Sequence, residues 1–549
     1  MSKKAKVERI DHLGIVAGVI QDLGIINKID ERIATDRRES ITTGEAIAGM
    51  IVNGLGFSDC PLSLTPQFFE NKPLDQLFRS GMLAEHFNRF KLGRALDDCH
   101  DYGCDLLFSE LSMDTCREEG VDTRFNALDT TAFSLTGEYD TESDEHTIAI
   151  THGHSKDHRP DLKQAVLELI CSHDGGVPVI SKSWDGNASD TKVFRERAQA
   201  LVKSLKEGES PRYVIADAKL YNQETVNNHL KFLFFITRIP RGLNQAKIFV
   251  SKALQSPIEE WEKADARNRF LSFTTEHYGV KERWIVVCSE EAKKRSAHMA
   301  EKKCEKEKVA IDKKLKKLSQ QEYTCRQDAE KALKMLGKTW KYHKVLSQEI
   351  REKKRYSGKG RPSATVSHQV GYQVFGTCIV DEKKRTEIFR QGSCFIVGTN
   401  IPIEEMSSAE ILNGYKKQNE TVERGFRFLK DPYLFTSSLF VKKPARIMAL
   451  LMVMTLSLLV YAIAQRRLRA ALKAAEGTLP NQIKKPTKTP TLRWIFQLLS
   501  GIERVTLHIE GHIQELMTGI SAFRARILSY FGATVRKIYK INCESAPTF

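Results

Sequence analysis

The chain has 549 residues, with 85 Lys and Arg against 69 Asp and Glu, a formal charge of +16 and a pI near 9.2. It is 41% hydrophobic and 28% charged, with only 33 Gly and 16 Pro, which excludes global disorder, a collagen-like repeat and a disulfide-stapled miniprotein. At roughly 150 residues per domain the length allows three or four domains. The positive excess points to a polyanionic partner, nucleic acid or an acidic membrane face, and it is segregated: residues 291–360 hold 22 basic and 10 acidic side chains, and residues 465–549 hold 14 and 5. Eleven scattered cysteines without a CxxC pair fit reduced thiols of a cytosolic protein, not a zinc finger or a disulfide frame.

Met1 to Glu8 lacks an apolar h-region, so no signal peptide is expected. Residues 1–115 read as a helical module, with apolar positions at helical spacing through Ile10, Leu13, Ile15 and Val19 and a capping box of Thr42 and Glu45. From Arg124 the pattern changes. Phe125 to Leu135, His146 to Thr151, Val177 to Ser181 and Tyr213 to Ala216 read as strands, with a helix from Asp190 to Lys206, which predicts an α/β sheet.

Residues 232–239 and 269–288 are strand-like, and a lysine-rich helical tract is expected over 290–356, either a solvated or coiled-coil helix pair or a basic arm along phosphates. Gly358 to Pro362 breaks it. Strands return at Tyr372 to Val380 and Cys394 to Gly398, followed by a long amphipathic helix from Ser407, capped by Glu410, to Lys430. Ile447 to Ala464 is an uncharged 18-residue run with basic flanks; Thr455, Ser457 and Tyr461 interrupt it, and a buried core helix is favoured over a membrane span. Gly477 to Pro490 reads as a linker before a basic helical tail.

Three acids stand out by position. Asp129 lies within a strand, and Asp217 directly follows one, where open α/β sheets bind ligands. Glu423 lies on the capped helix, on a face with Asn419, Arg427 and Lys430, beside an apolar stripe of Ile411, Tyr415, Val422, Phe426 and Leu429. Singly, each has a plainer reading: a turn former or cap for the aspartates, a surface i,i+4 pair for the glutamate. Together, carboxylates that hold two divalent metals would allow phosphodiester chemistry. His152, His154 and His158 invite a zinc site, which the absence of a neighbouring cysteine disfavours; hydrogen bonding within the fold is expected instead. Asp185 and Asp190 rival Asp129 as ligands, and also suit a loop and helix cap.

The strings LDTTAFSLTGEY (128–139), GHSKDHRPDLKQ (153–164), VIADAKLYN (214–222) and VERGFRFLKDP (422–432) resemble the transposases of bacterial insertion sequences in the DDE superfamily, with the last string the most specific. The resemblance implies an α/β ribonuclease-H-like core at 120–239 and 401–470, a strand-plus-helix insertion domain at 240–400 filling the gap of 206 residues between Asp217 and Glu423, a helical DNA-binding module at 1–115, a linker at 477–490 and a helical tail at 491–549. It implies a catalytic, metal-binding triad of Asp129, Asp217 and Glu423 with two Mg²⁺, or Mn²⁺ in their place, and cut-and-paste transposition. Double-stranded DNA, as terminal inverted repeats and as target, would be the partner of a homodimer in the bacterial cytoplasm, at the nucleoid and not at a membrane.

The family's helix motif places tyrosine seven and arginine four residues before the glutamate and lysine seven after it. Lys430 fits. Asn419 stands at the arginine position, Tyr415 is displaced by one, and Arg427 is the candidate to supply the missing charge at the DNA. The alternative is a non-catalytic DNA-binding protein derived from a transposase.

Overall fold

The computed structural model describes residues 4–34, 36, 38–58, 60–139, 146–207, 213–356, 368–436, 441–509 and 512–541, which form two compact units, 1–237 with 413–549 and 238–412. The expected break at Gly358 to Pro362 lies outside the described residues.

The first unit is built around a mixed sheet. Its strands run in the order Pro178–Trp184, Lys163–Ser172, Phe125–Leu135, Tyr213–Ala216, Phe234–Arg238. The first three are antiparallel neighbours, and the last two run parallel to Phe125–Leu135. Phe125–Leu135 and Tyr213–Ala216 have the limits their aromatic and β-branched content predicts. Lys163–Ser172, which sequence reading passed over, is almost wholly buried because both faces of the sheet are covered. His146 to Thr151 is not a strand: only Thr151 bridges, to Gln164.

One face carries Glu168, fully buried, which accepts hydrogen bonds from Trp184 Nε1 (2.9 Å) and from Arg197 of the helix Asp190–Glu207. The other face receives the helix Val422–Leu429 and, at the sheet edge, Pro444–Ala474, whose Thr455 meets Ser181 at 3.2 Å.

Pro444–Ala474 contains the uncharged run. That apolar run has a mean hydropathy of 2.5, and 89% of it is buried inside the first unit. Its basic flanks are anchors: Arg446 forks onto Asp97 at 2.7 and 2.6 Å, Arg466 onto Asp174 at 3.0 and 2.8 Å, and Arg467 reaches Asp22 at 2.6 Å and Glu119. Thr455 and Ser457 donate to the carbonyls of Leu451 and Val453, so the hydroxyls within the apolar run are satisfied inside the helix.

The N-terminal module is helical, and Thr42 with Glu45 forms the expected capping box. It is not helical throughout. Lys4–Arg9 is a strand, paired antiparallel with Glu503–Ile509, which in turn pairs with His512–Thr518. The C-terminal segment is therefore not a helical tail: it holds a hairpin and the short helices Leu492–Leu498, Ala522–Ser529 and Ala533–Ile538, all docked on the module. Gly14 and Gly18 permit this docking, since a Cβ there would lie 2.5 Å from the Tyr539 ring and 2.6 Å from Val535. Tyr539 also donates to the Asp11 carbonyl at 2.6 Å. Within the expected linker, Leu479–Pro480 and Pro486–Thr487 pair as a small ribbon.

In the second unit a hairpin, Asn268–His277 with Val280–Ser289, turns at Tyr278 and Gly279, both at positive φ, and Cys394–Thr399 pairs with its second strand. The lysine-rich tract is helical only to Lys338, as Glu290–Gln320 and Arg326–Lys338; His343–Tyr356 is a strand, paired along its length with His368–Val380. Cross-strand pairing overrides its charged, helix-compatible composition. Ala300, Cys304, Ile311 and Leu315 give the long helix a buried seam, and a core of Ile311, Leu315, Ala329, Leu333, Trp340 and Val374 joins both helices to the hairpin, leaving most lysines in solvent.

Candidate active site

Strand alternation decides what each residue around Asp129 can reach. Thr130 points to the face covered by the helix Asp190–Glu207, and its hydroxyl donates to Asp190 at 2.5 Å. Asp129 points to the opposite face, level with its cross-strand partner Leu169. Asp217 begins where the parallel neighbour ends, after Leu128 and Ala216 have paired. The adjacent parallel strands thus bring two distant aspartates to one end of the sheet, and the helix start adds Asp190.

Two lysines complete the cluster. Lys219 ion-pairs with Asp190, and Lys156, from the loop before Lys163–Ser172, lies 3.3 Å from the same carboxylate and donates to the Thr130 carbonyl at 2.6 Å. Asp217 Oδ1 accepts from the Lys219 amide at 2.8 Å, and Asp129 Oδ1 from the Thr130 amide at 2.7 Å.

These contacts split the acids. Burial, with smaller contributions from the charges of Asp217 and Asp190, pushes the Asp129 carboxyl up to about 6. Burial likewise raises Asp217, with the Asp190 charge adding to it. Burial would raise Asp190 too, but hydrogen bonds from Lys219 and Thr130 and the charge of Lys156 outweigh it and hold that carboxyl below its usual range. Lys219 is raised: burial opposes its charge, and Asp190, Asp217 and Asp129 more than compensate.

The raised Asp129 makes a pH-dependent contribution. An acid that binds its proton more tightly in the folded state weakens folding as pH rises from about 4 to about 6, and the loss is complete above that window. Asp129→Asn is therefore expected to be more stable than wild type at pH 8, by up to about 3 kcal/mol, with the difference vanishing below about pH 4. Urea unfolding at the two pH values measures it.

Glu423 is carried on a helix over the Asp129 face. Gly425 of that helix sits so close that a Cβ would lie 3.2 Å from both Leu169 and Leu458, and Leu169 is the residue paired with Asp129. Glu423 itself is exposed and makes no hydrogen bond or ion pair among the described residues. Among those residues, no three His, Cys, Asp or Glu side chains are arranged to hold a metal ion. Asp129, Asp217 and Asp190 are near enough for their charges to act on one another, and Glu423 is on the helix above.

The expected continuous helix to Lys430 is broken. Ser408–Lys417 is followed by a 3-10 turn, Gln418–Glu420, and a new helix starts at Val422 after Thr421 leaves helical geometry (φ −110°, ψ −89°). Lys430 bonds Asp157 at 2.7 Å and lies over the Phe133 ring at 5.7 Å, beside the Asp129 strand. Arg427 is exposed and Tyr415 half-buried; the side chain of Asn419 lies outside the described residues. The side chains of His152, His154 and His158 are exposed on the loop and make no hydrogen bond among the described residues, contrary to expectation. Asp185 accepts from the Ala149 amide at 2.8 Å and has a loop-forming role.

Sequence reading missed the two lysines. The signal was present: Lys219 follows Asp217 by two residues, and Lys156 and Asp157 lie in the loop string 153–164.

Residues 5–113 match the model of a domain of unknown function, DUF4277, a stretch that ends before Asp129. No curated protein matches the chain. Among solved structures it is similar to a piggyBac transposase in a synaptic complex with hairpin DNA, at 9% identity and a TM-score of 0.35, over 100% of this chain and 85% of that one. A TM-score that low does not establish a shared fold.

Proposed function

We propose that the protein is a DDE-type DNA transposase of an insertion sequence, with a ribonuclease-H-like core, that cuts DNA at the ends of its element and joins them to target DNA. The observation that carries this reading is the convergence of the four strings resembling that family: Asp129, Lys156 with Asp157, Asp217 with Lys219, and Lys430 come from separate stretches and surround one end of one sheet. The strand order, with an antiparallel trio followed by two parallel strands and the first strand central, supports the ribonuclease-H-like part.

Asp129 and Asp217 suit a hard divalent cation. Both offer carboxylate oxygens, and a dication would relieve the burial and repulsion that raise them. These two, joined by Glu423, are the residues that would hold Mg²⁺, which supplies charge stabilisation at the phosphodiester and an activated water or 3′-hydroxyl. Lys219 and Lys156 neutralise Asp190 and keep positive charge at the strand ends, where a phosphate would approach. Lys430 and Arg427, on the flank of the same helix, would position the DNA backbone. The excess of basic residues makes binding steeply salt-dependent, and pairing two element ends calls for a homodimer on DNA, at the nucleoid in the cytoplasm.

The lysines among the aspartates favour a second reading, a non-catalytic DNA-binding protein descended from such an enzyme. Purified protein, duplex DNA spanning the flanks of its gene, and Mg²⁺ discriminate the two. Strand cleavage is expected at a defined position and is absent in EDTA. Tight binding without cleavage in Mg²⁺ or Mn²⁺ supports the alternative, and loss of both activities contradicts the pair.

A further inference from the structure

Against the helix Val422–Leu429 lies a cavity of about 560 Å³ within the first unit. Its walls carry Lys417, Arg424, Arg427, Arg469 and Arg493 against only Glu420 and Asp431. Arg493 is already paired with Asp431, and Arg469 donates to the Pro490 carbonyl at 3.3 Å. Lys417, Arg424 and Arg427 have no ion-pair partner among the described residues.

Positive charge there exceeds negative charge. Burial lowers the Arg469 guanidinium below its usual range, and the neighbouring charge of Arg424 lowers it further. His173 also lines the cavity; its Nε2 is buried without a hydrogen-bond partner among the described residues, and burial, then the Lys417 charge, hold the imidazole down at about 4. Like charges converging on a concave site beside an unsatisfied ring nitrogen are the arrangement an anion would complete.

Three aromatic rings, Phe57, Phe428 and Tyr461, also line it. Phe428 and Tyr461 lie 4.7 Å apart between centroids, Phe57 is 6.1 Å from Phe428, and Arg493 stacks 4.3 Å over Phe57. A flat, polarisable ligand portion would find stacking surfaces next to the cationic wall. We propose that this cavity binds a nucleoside phosphate, with its phosphate on Lys417, Arg424 and Arg469 and its base against Phe57, Phe428 and Tyr461, whether or not the acid cluster cuts DNA.

Calorimetric titration of the full-length protein with dAMP, deoxyadenosine and inorganic phosphate tests this. Binding of dAMP is expected, at least tenfold tighter than either fragment. Lys417→Glu and Arg424→Glu, both at exposed positions, are expected to weaken it at least tenfold with an unchanged melting temperature. Variants that bind dAMP as wild type does, or a fragment that binds as tightly as dAMP, overturn the proposal. A fluorescein-labelled single-stranded oligonucleotide separates the two sources of the ligand: displacement by dAMP assigns the site to a nucleotide of a DNA strand, and charge-reversal effects confined to dAMP assign it to a free nucleotide. Asp129→Asn is expected to keep dAMP affinity, so a failure to cut DNA and a failure to bind nucleotide remain distinguishable.

Discussion

Asp217→Asn is expected to lose strand cleavage by about 10³-fold or more, roughly 4 kcal/mol of transition-state stabilisation, while staying folded. Asparagine preserves the side chain's shape and an oxygen that can accept from the Lys219 amide, as Asp217 Oδ1 does at 2.8 Å. What it removes is the negative charge, which is costly where burial and the Asp190 charge already raise the carboxyl. An isosteric change that leaves stability equal or higher and abolishes cutting identifies the charge as functional. Glu423→Gln is expected to behave alike, with no cost in stability because Glu423 is exposed and makes no hydrogen bond or ion pair among the described residues. Cleavage assays beside urea unfolding check both variants; a Glu423→Gln protein that cuts at the wild-type rate would remove that residue from the triad.

The second large effect is expected at Arg504. Its guanidinium bonds Glu8 at 2.9 and 2.5 Å and Asp75 at 2.6 and 2.8 Å, and Glu8 and Arg504 are 3% and 5% exposed. Burial opposes the charge on Arg504, but the bonds to Asp75 and Glu8 outweigh it and raise its pKa. Arg504→Met leaves the buried Glu8 with only the exposed Lys6, at 2.7 Å, as an ionic partner, at a cost of about 3 kcal/mol, and removes the side-chain tie between the strands Lys4–Arg9 and Glu503–Ile509. Adding Glu8→Gln should recover part of that loss, because an uncharged side chain is cheaper to keep buried than a carboxylate that has lost its buried partner. Chemical denaturation of the single and double variants measures both steps.

The parts of this molecule that could be read from sequence are those whose signal is local. Phe125–Leu135 and Tyr213–Ala216 are dense in residues that suit a covered sheet, and the aspartates within or after them were visible for that reason. Thr42 and Glu45 announced a helix start because a capping box is contained in four residues. Elements that depend on distant partners were opaque. Lys4–Arg9 is a strand only because a hairpin about 500 residues later pairs with it, and His343–Tyr356 is charged enough to read as helix until His368–Val380 lies beside it. The break at Thr421 is hidden for the same reason: helical periodicity runs through it, while Gly425 must press on Leu169 and Leu458. Asp190 read equally well as cap or ligand, and only the lysines that surround it distinguish its role from that of its neighbours.

Crystals grown with Mn²⁺ in place of Mg²⁺, with element-end DNA bound, offer the most direct measurement. Anomalous peaks are expected at coordination distance, roughly 2.1 Å, from the carboxylates of Asp129, Asp217 and Glu423 together, with Lys219 turned away toward phosphate. Peaks at Asp129 and Asp217 with Glu423 still facing solvent, or an acid cluster that keeps its lysines and takes up no metal, would contradict a shared catalytic centre.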